Sequence, residues 1–75
     1  MTDKPRKRSL TIAGHRTSVS LEDDFWDALK EICQAKDRSL AQMISEIDSS
    51  RGTRSLSSAI RSAVLDHYRK INPTE

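Results

Sequence analysis

The stretch Leu10-Thr-Ile-Ala-Gly-His-Arg-Thr-Ser-Val-Ser-Leu-Glu22 decides how this chain folds. Thr17, Val19 and Leu21 alternate with Arg16, Ser18 and Ser20, the period-two pattern of a strand with one apolar and one polar face. The strand runs straight into a helical pattern, and the rest of the chain is helical in period. A single strand in a helical protein has unpaired backbone N–H and C=O groups along both edges, costly to bury and adhesive when exposed. The same strand from a second copy satisfies them. Two such strands make a ribbon with Arg16, Ser18 and Ser20 in duplicate on its polar face, and a two-stranded ribbon fits the DNA major groove.

Upstream, the alternation slips. Leu10 and Ile12 are even positions, whereas Thr17, Val19 and Leu21 are odd. On an unbroken strand the two apolar sets would lie on opposite faces, so a turn or bulge within Ala13-Gly14-His15-Arg16 must absorb one residue. Gly14, free to take positive φ, is the natural hinge. The principal strand is therefore expected at 15–21, with 9–12 as a short extra strand or an ordered arm, and either segment is a candidate for the groove. Residues 1–8, with Pro5 among Lys4, Arg6, Lys7 and Arg8, read as a disordered basic arm, and residues 9–72 as the domain.

Three helices follow. Ser20 is expected to cap the first, with Asp23 at the capping-box position and Glu22, Asp23 and Asp24 in the first turn, where the helix dipole favours negative charge. Phe25, Ala28, Leu29, Ile32 and Cys33 form its apolar stripe, with Trp26 at the edge, and it should end near Lys36. Ser39, with Gln42 three residues on, starts a second helix with Leu40, Met43, Ile44 and Ile47 inward and Gly52 as the residue after its cap. Ser55 caps a third, whose inward face reads Leu56, Ala59, Ile60, Ala63, Val64, His67 and Tyr68 before Asn72-Pro73 stops it. The fold class is mainly α with one N-terminal β-strand.

Composition narrows the function. Seventy-five residues make one small domain, and such chains rarely bury enough apolar surface to be comfortably stable alone. Cys33 is the only cysteine, which excludes an intrachain disulfide and suits a reducing compartment. Cys33, His15 and His67 lack short ligand spacing, so no metal is expected. Oligomerisation is the remaining means of stabilisation. No phosphate-cradling glycine loop, HExxH or GxSxG is present, the carboxylates cluster where a helix start explains them, and the chain is too small to enclose a substrate pocket as well as a core. An enzyme is not expected, nor a cofactor. There is no apolar run of membrane-spanning length and no signal-peptide core, so the expected location is the cytoplasm. The net charge of +2 is uneven: residues 1–21 hold five basic residues against one acidic, and residues 22–75 hold eight against ten. That favours a polyanion met by the N-terminal end, against the plainer reading of a solvated basic tail.

Arg16-Thr-Ser-Val-Ser-Leu-Glu-Asp-Asp-Phe-Trp-Asp-Ala-Leu, and the Arg38-Ser39-Leu40 step into the second helix, resemble the ribbon-helix-helix DNA-binding proteins, the superfamily of the Arc and methionine repressors. The likeness covers roughly residues 15–50. The whole chain looks most like the small bacterial ribbon-helix-helix domain proteins with an additional C-terminal helix. The resemblance implies an intertwined homodimer with a two-stranded antiparallel ribbon, binding double-stranded DNA as a repressor. The alternative is an antitoxin or interaction module whose third helix holds a toxin or other protein partner. It also implies base contacts by the outward strand residues Arg16, Ser18 and Ser20, and phosphate held at the second helix N-terminus by Ser39 with Arg38 beside it.

Each assignment has a competitor. Arg16 suits guanine O6 and N7, or serves as an edge cation that deters aggregation. Ser20 reads bases or is committed to its cap. The arm cations Lys4, Arg6, Lys7 and Arg8 are expected to bind phosphate without reading sequence. If two arms neutralise roughly eight phosphates, log K falls with log salt at a slope of about −7. Val19, Leu21, Phe25, Leu29, Ile32 and Ile44 are expected in the dimer core. The turn Lys36-Asp37-Arg38 departs from the glycine often found there and adds a negative charge near the phosphate site.

Overall fold

A computed structural model of the chain describes residues 4–71. Its elements are β1 (Arg6–Ile12), β2 (His15–Leu21), α1 (Asp23–Ala35), α2 (Leu40–Ser50) and α3 (Leu56–Ile71). The two strands pair with each other, antiparallel, from Ile12 opposite His15 to Arg6 opposite Leu21. Where one strand awaiting a second chain was expected, residues 6–12 supply the partner from within. The turn is Ala13-Gly14, with φ of 51° and 82°, the doubly positive pair of a two-residue hairpin. It resolves the slip in alternation. Paired residue numbers differ by an odd number, so even positions of β1 share a face with odd positions of β2.

That shared inner face carries Ile12, Val19 and Leu21, all buried, with Leu10 and Thr17 partly so. Its neighbours are Leu29, Ile32 and Cys33 of α1, Met43 and Ile44 of α2, and Ile60 and Val64 of α3. Leu21, Ile44 and Ile60 have no exposure at all. Five of the expected dimer-core residues, Val19, Leu21, Leu29, Ile32 and Ile44, thus lie in the core of a single chain, with Phe25 partly buried against it. The hairpin and α3 together cover what a second chain was expected to cover. Cys33 is a free thiol inside this core, and burial pushes its pKa up.

The helix boundaries follow their caps, with one correction. Ser39 Oγ accepts from the Gln42 N–H and Gln42 Oε1 accepts from the Ser39 N–H, both at 3.1 Å, which closes the expected capping box. Ser55 Oγ accepts from the Ser58 N–H at 3.1 Å, and Gly52, at φ 66°, follows the C-cap of α2. α1 is different. Its N-cap is Glu22, not Ser20, and no side chain caps it. Leu21 must stay in the sheet to reach the core, which keeps Ser20 extended and moves the helix start two residues on.

The α1–α2 turn is built on Asp37, at φ 54°. The Arg38 N–H donates to the Cys33 carbonyl at 2.9 Å and the Asp37 N–H to the Gln34 carbonyl at 3.2 Å, the paired bonds of a Schellman ending. Asp37 therefore occupies the position where glycine is at ease. Asp37→Gly is expected to stabilise the fold by about 1 kcal/mol, a rise of roughly 4–8 °C in Tm for a domain of this size. An unchanged or lower melting temperature would contradict this account of the turn.

Candidate nucleic-acid interface

The register sorts the strand side chains into two sets. Lys7, Ser9 and Thr11 of β1 stand opposite Ser20, Ser18 and Arg16 of β2, and all six are exposed. The expected base-contact residues Arg16, Ser18 and Ser20 do share one face, and β1 adds three that sequence reasoning missed or placed elsewhere. The face holds two cations, four hydroxyls and no carboxylate. Short hydroxyl side chains let the backbone approach a groove floor, and both strands together have the width of a groove-reading ribbon. Ser9 and Thr11 were legible in principle: continuing the Leu10–Ile12 alternation backwards puts their hydroxyls opposite the apolar side.

The same alternation sends Arg6 and Arg8 to the other face, which corrects the disordered arm for residues 6–8. Arg8 Nη2 donates to Asp23 Oδ1 at 2.5 Å, Arg6 Nη1 reaches the same carboxylate at 3.4 Å, and the Arg8 guanidinium lies 4.8 Å from the centre of the Trp26 ring. The Arg8 hydrogen bond, ahead of that from Arg6, holds the Asp23 carboxyl below its ordinary pKa despite some desolvation. Both arginines were expected on phosphate, and in this fold both hold the hairpin to α1. Lys4 precedes β1, and residues 1–3 of the expected arm lie outside the described residues.

β2 is held from its outer side by α3. In a two-residue hairpin the pair flanking the turn is hydrogen-bonded, so Thr11/Arg16, Ser9/Ser18 and Lys7/Ser20 direct their backbone groups away from the hairpin. The Ser20 N–H accordingly donates to Ser57 Oγ at 3.0 Å, and the Ser20 carbonyl accepts from Arg61 Nη2 at 3.1 Å. Arg61 also pairs with Glu22 at 3.0 Å. Backbone hydrogen bonding and then Arg61 lower the Glu22 pKa. With its amide and carbonyl fixed and the cap role passed to Glu22, Ser20 keeps its side chain on the outward face. The third helix, extra to the minimal strand-helix-helix pattern, is thus a clasp on the strand that carries Arg16, Ser18 and Ser20.

The start of α2 lies beside the hairpin tip: Ala13 shares a shallow groove with Ala41, Gln42, Ser45 and Glu46. Ser39 Oγ is occupied as acceptor by the cap, leaving its O–H to donate, and Arg38 is paired with Glu46. The second helix start therefore faces the same end of the molecule as the turn, with its cation already neutralised. His67 and Tyr68 make an edge-to-face pair with centroids 5.2 Å apart, and the Tyr68 O–H donates to Glu31 at 3.1 Å. Among the described residues no group of three potential ligands could hold a metal ion, and no helix is long and apolar enough to cross a membrane.

A strand pair leads into α1 and the capped helices α2 and α3, with a cationic, hydroxyl-rich strand face turned outward. A family model described as "Ribbon-helix-helix domain" matches residues 5–68, and the chain belongs to that family. No curated protein and no solved structure matches it. Membership supports a DNA-binding, regulatory role in general.

Proposed function

We propose that this chain is a homodimeric, sequence-specific double-stranded DNA-binding protein that acts as a transcriptional repressor in the bacterial cytoplasm. The outward face of the hairpin carries the reading: two cations and four hydroxyls with no carboxylate among them. Arg16, Ser18 and Ser20, joined by Ser9 and Thr11, contact base edges, while Lys4, Lys7 and the start of α2 at Ser39 hold phosphates. The lone buried thiol of Cys33 suits the reducing compartment. An antitoxin-like role for α3 has less support. Its Ala59, Ile60 and Val64 are spent on the core, and its exposed large apolar residues are Leu65 and Ile71, which do not share one helix face.

Selection of bound duplexes from a random pool gives the operator, and Arg16→Ala then tests the reading. Loss of one bidentate base contact should narrow the preference for operator over random DNA by about 1–3 kcal/mol. Equal weakening on both duplexes would make Arg16 a phosphate contact, and absence of binding to any duplex at low salt would remove the function proposed.

A further inference from the structure

We propose that the pocket between α1, α2 and the second half of α3 binds a small aromatic monocarboxylate, a compound of the benzoate class. The pocket holds about 180 Å³, and no residue of the hairpin lines it. Its floor is apolar, made by Leu29 and Ile32 of α1, Met43 and Ile47 of α2, and Val64 of α3. Its mouth is polar, with Lys36 at the end of α1 and Asp66, His67 and Lys70 on α3. An apolar floor with a few convergent polar groups at the rim is the usual form of a small-molecule site.

Size and charge select the ligand. An apolar cavity of about 150 Å³ takes up benzene, so a single six-membered ring suits this one. Met43 favours a ring over an open chain, because thioether sulfur is attracted to aromatic edges. At the mouth two lysines stand against one aspartate, a surplus of one positive charge. Lys70 pairs with Asp66 at 3.2 Å. Lys36 is exposed and has no carboxylate in salt-bridge reach among the described residues, so its ammonium is free to take one. His67, half-buried and braced edge-to-face by Tyr68, adds a ring N–H. An amine would find only Asp66, already engaged by Lys70.

α3 links this pocket to the strand face. It gives Val64 and His67 to the pocket, and through Ser57 and Arg61 it holds the Ser20 amide and carbonyl. Lifting α3 dismantles the pocket and frees Ser20 together. A ligand at ten times its Kd therefore makes that opening about elevenfold rarer. The ligand acts as an effector that steadies the strand carrying Arg16 and Ser18. That role rests on the DNA-binding reading above, whereas the site itself does not.

Titration of the full chain, labelled with nitrogen-15 and free of DNA, tests the site. The probes are sodium benzoate, benzylamine hydrochloride and sodium chloride at matched ionic strength. Benzoate is expected to give saturable shifts of the Ala63, Val64 and His67 amides with a Kd of about 1 mM, the range for a ligand of about nine heavy atoms. Benzylamine and chloride should not. At about 10 mM benzoate the Ser20 amide should exchange with solvent about tenfold more slowly. Lys36→Glu reverses the charge at an exposed position. It should keep the helical spectrum, weaken benzoate about tenfold and admit benzylamine. Non-saturating shifts, equal shifts with benzylamine, or unchanged benzoate affinity in Lys36→Glu would overturn the proposal. So would the absence of any shift, which would make the pocket a packing gap or the seat of another protein chain. Saturable binding with unchanged Ser20 exchange would remove the effector role and keep the site. Because no duplex is present, failure of the chain to bind DNA leaves the pocket's result standing.

Discussion

Leu21→Asp is expected to abolish the fold. Leu21 has no exposure, ends β2 on the inner face, and lies in the cluster that joins the sheet to Leu29, Ile44 and Ile60. Removing a fully buried leucine side chain costs about 2–5 kcal/mol through lost burial and the cavity it leaves. A carboxylate in its place must be desolvated or protonated, a penalty of several kcal/mol more. A small domain has a total stability of about 5–15 kcal/mol, and this chain lies at the small end. The cross-strand neighbour, Arg6, offers no rescue, because its side chain is 67% exposed and turned to Asp23. Circular dichroism should show the loss of the cooperative thermal transition. Leu21→Met, similar in volume and apolar, should retain it at a cost below about 1.5 kcal/mol. A folded, cooperative Leu21→Asp chain would mean that the residue is not interior.

Much of this fold is written locally, and those parts are legible in the sequence. The Ser39/Gln42 box, the Ser55 cap, Gly52 and the apolar stripes of all three helices depend on residues three or four apart, and each lies where the pattern placed it. The break in alternation within residues 13–16 was legible as a turn or a bulge, with Gly14 as its hinge, but not what it joins. Pairing residues 6–12 with 15–21 rests on Arg6 and Arg8 being able to sit on a partly apolar face. That in turn needs Asp23 and Trp26, which only α1's placement brings there. Charge alone read those arginines as solvated. The same holds for Ser20. Its local sequence says helix cap, and the pull of Leu21 into the core, with α3 gripping the Ser20 backbone, keeps it in the strand. Arg61 lies 41 residues from Ser20, and no spacing rule connects them. For the candidate interface, the alternation put the even positions of β2, Arg16, Ser18 and Ser20, on one face, which they share, whereas only the register sets Ser9 and Thr11 beside them.

The salt dependence of DNA binding is expected to be shallower than the count of basic residues suggests. Lys4, Lys7 and Arg16 have no carboxylate partner among the described residues, while Arg6 and Arg8 are held by Asp23 and Arg38 by Glu46. A dimer then offers six free cations near the outward face, and log K should fall with log salt at a slope of about −5, against the −7 of an arm with every cation engaged. Between about 50 and 200 mM salt that is a loss of roughly a thousandfold in affinity. Replacing Lys4, Lys7 and Arg16 together by Gln should flatten the slope almost completely and weaken operator and random duplexes alike at low salt, apart from the specificity that Arg16 carries. Arg6→Gln with Arg8→Gln should act differently. It leaves the slope unchanged, lowers thermal stability by freeing the hairpin from α1, and returns the Asp23 carboxyl toward its ordinary pKa of 3.8. Titrations at several salt concentrations for the parent and both variants separate the two sets of cations. A parent slope near −7 that drops in the Arg6/Arg8 variant would mean that DNA draws these arginines off Asp23, and that the hairpin loosens from the helices as it binds.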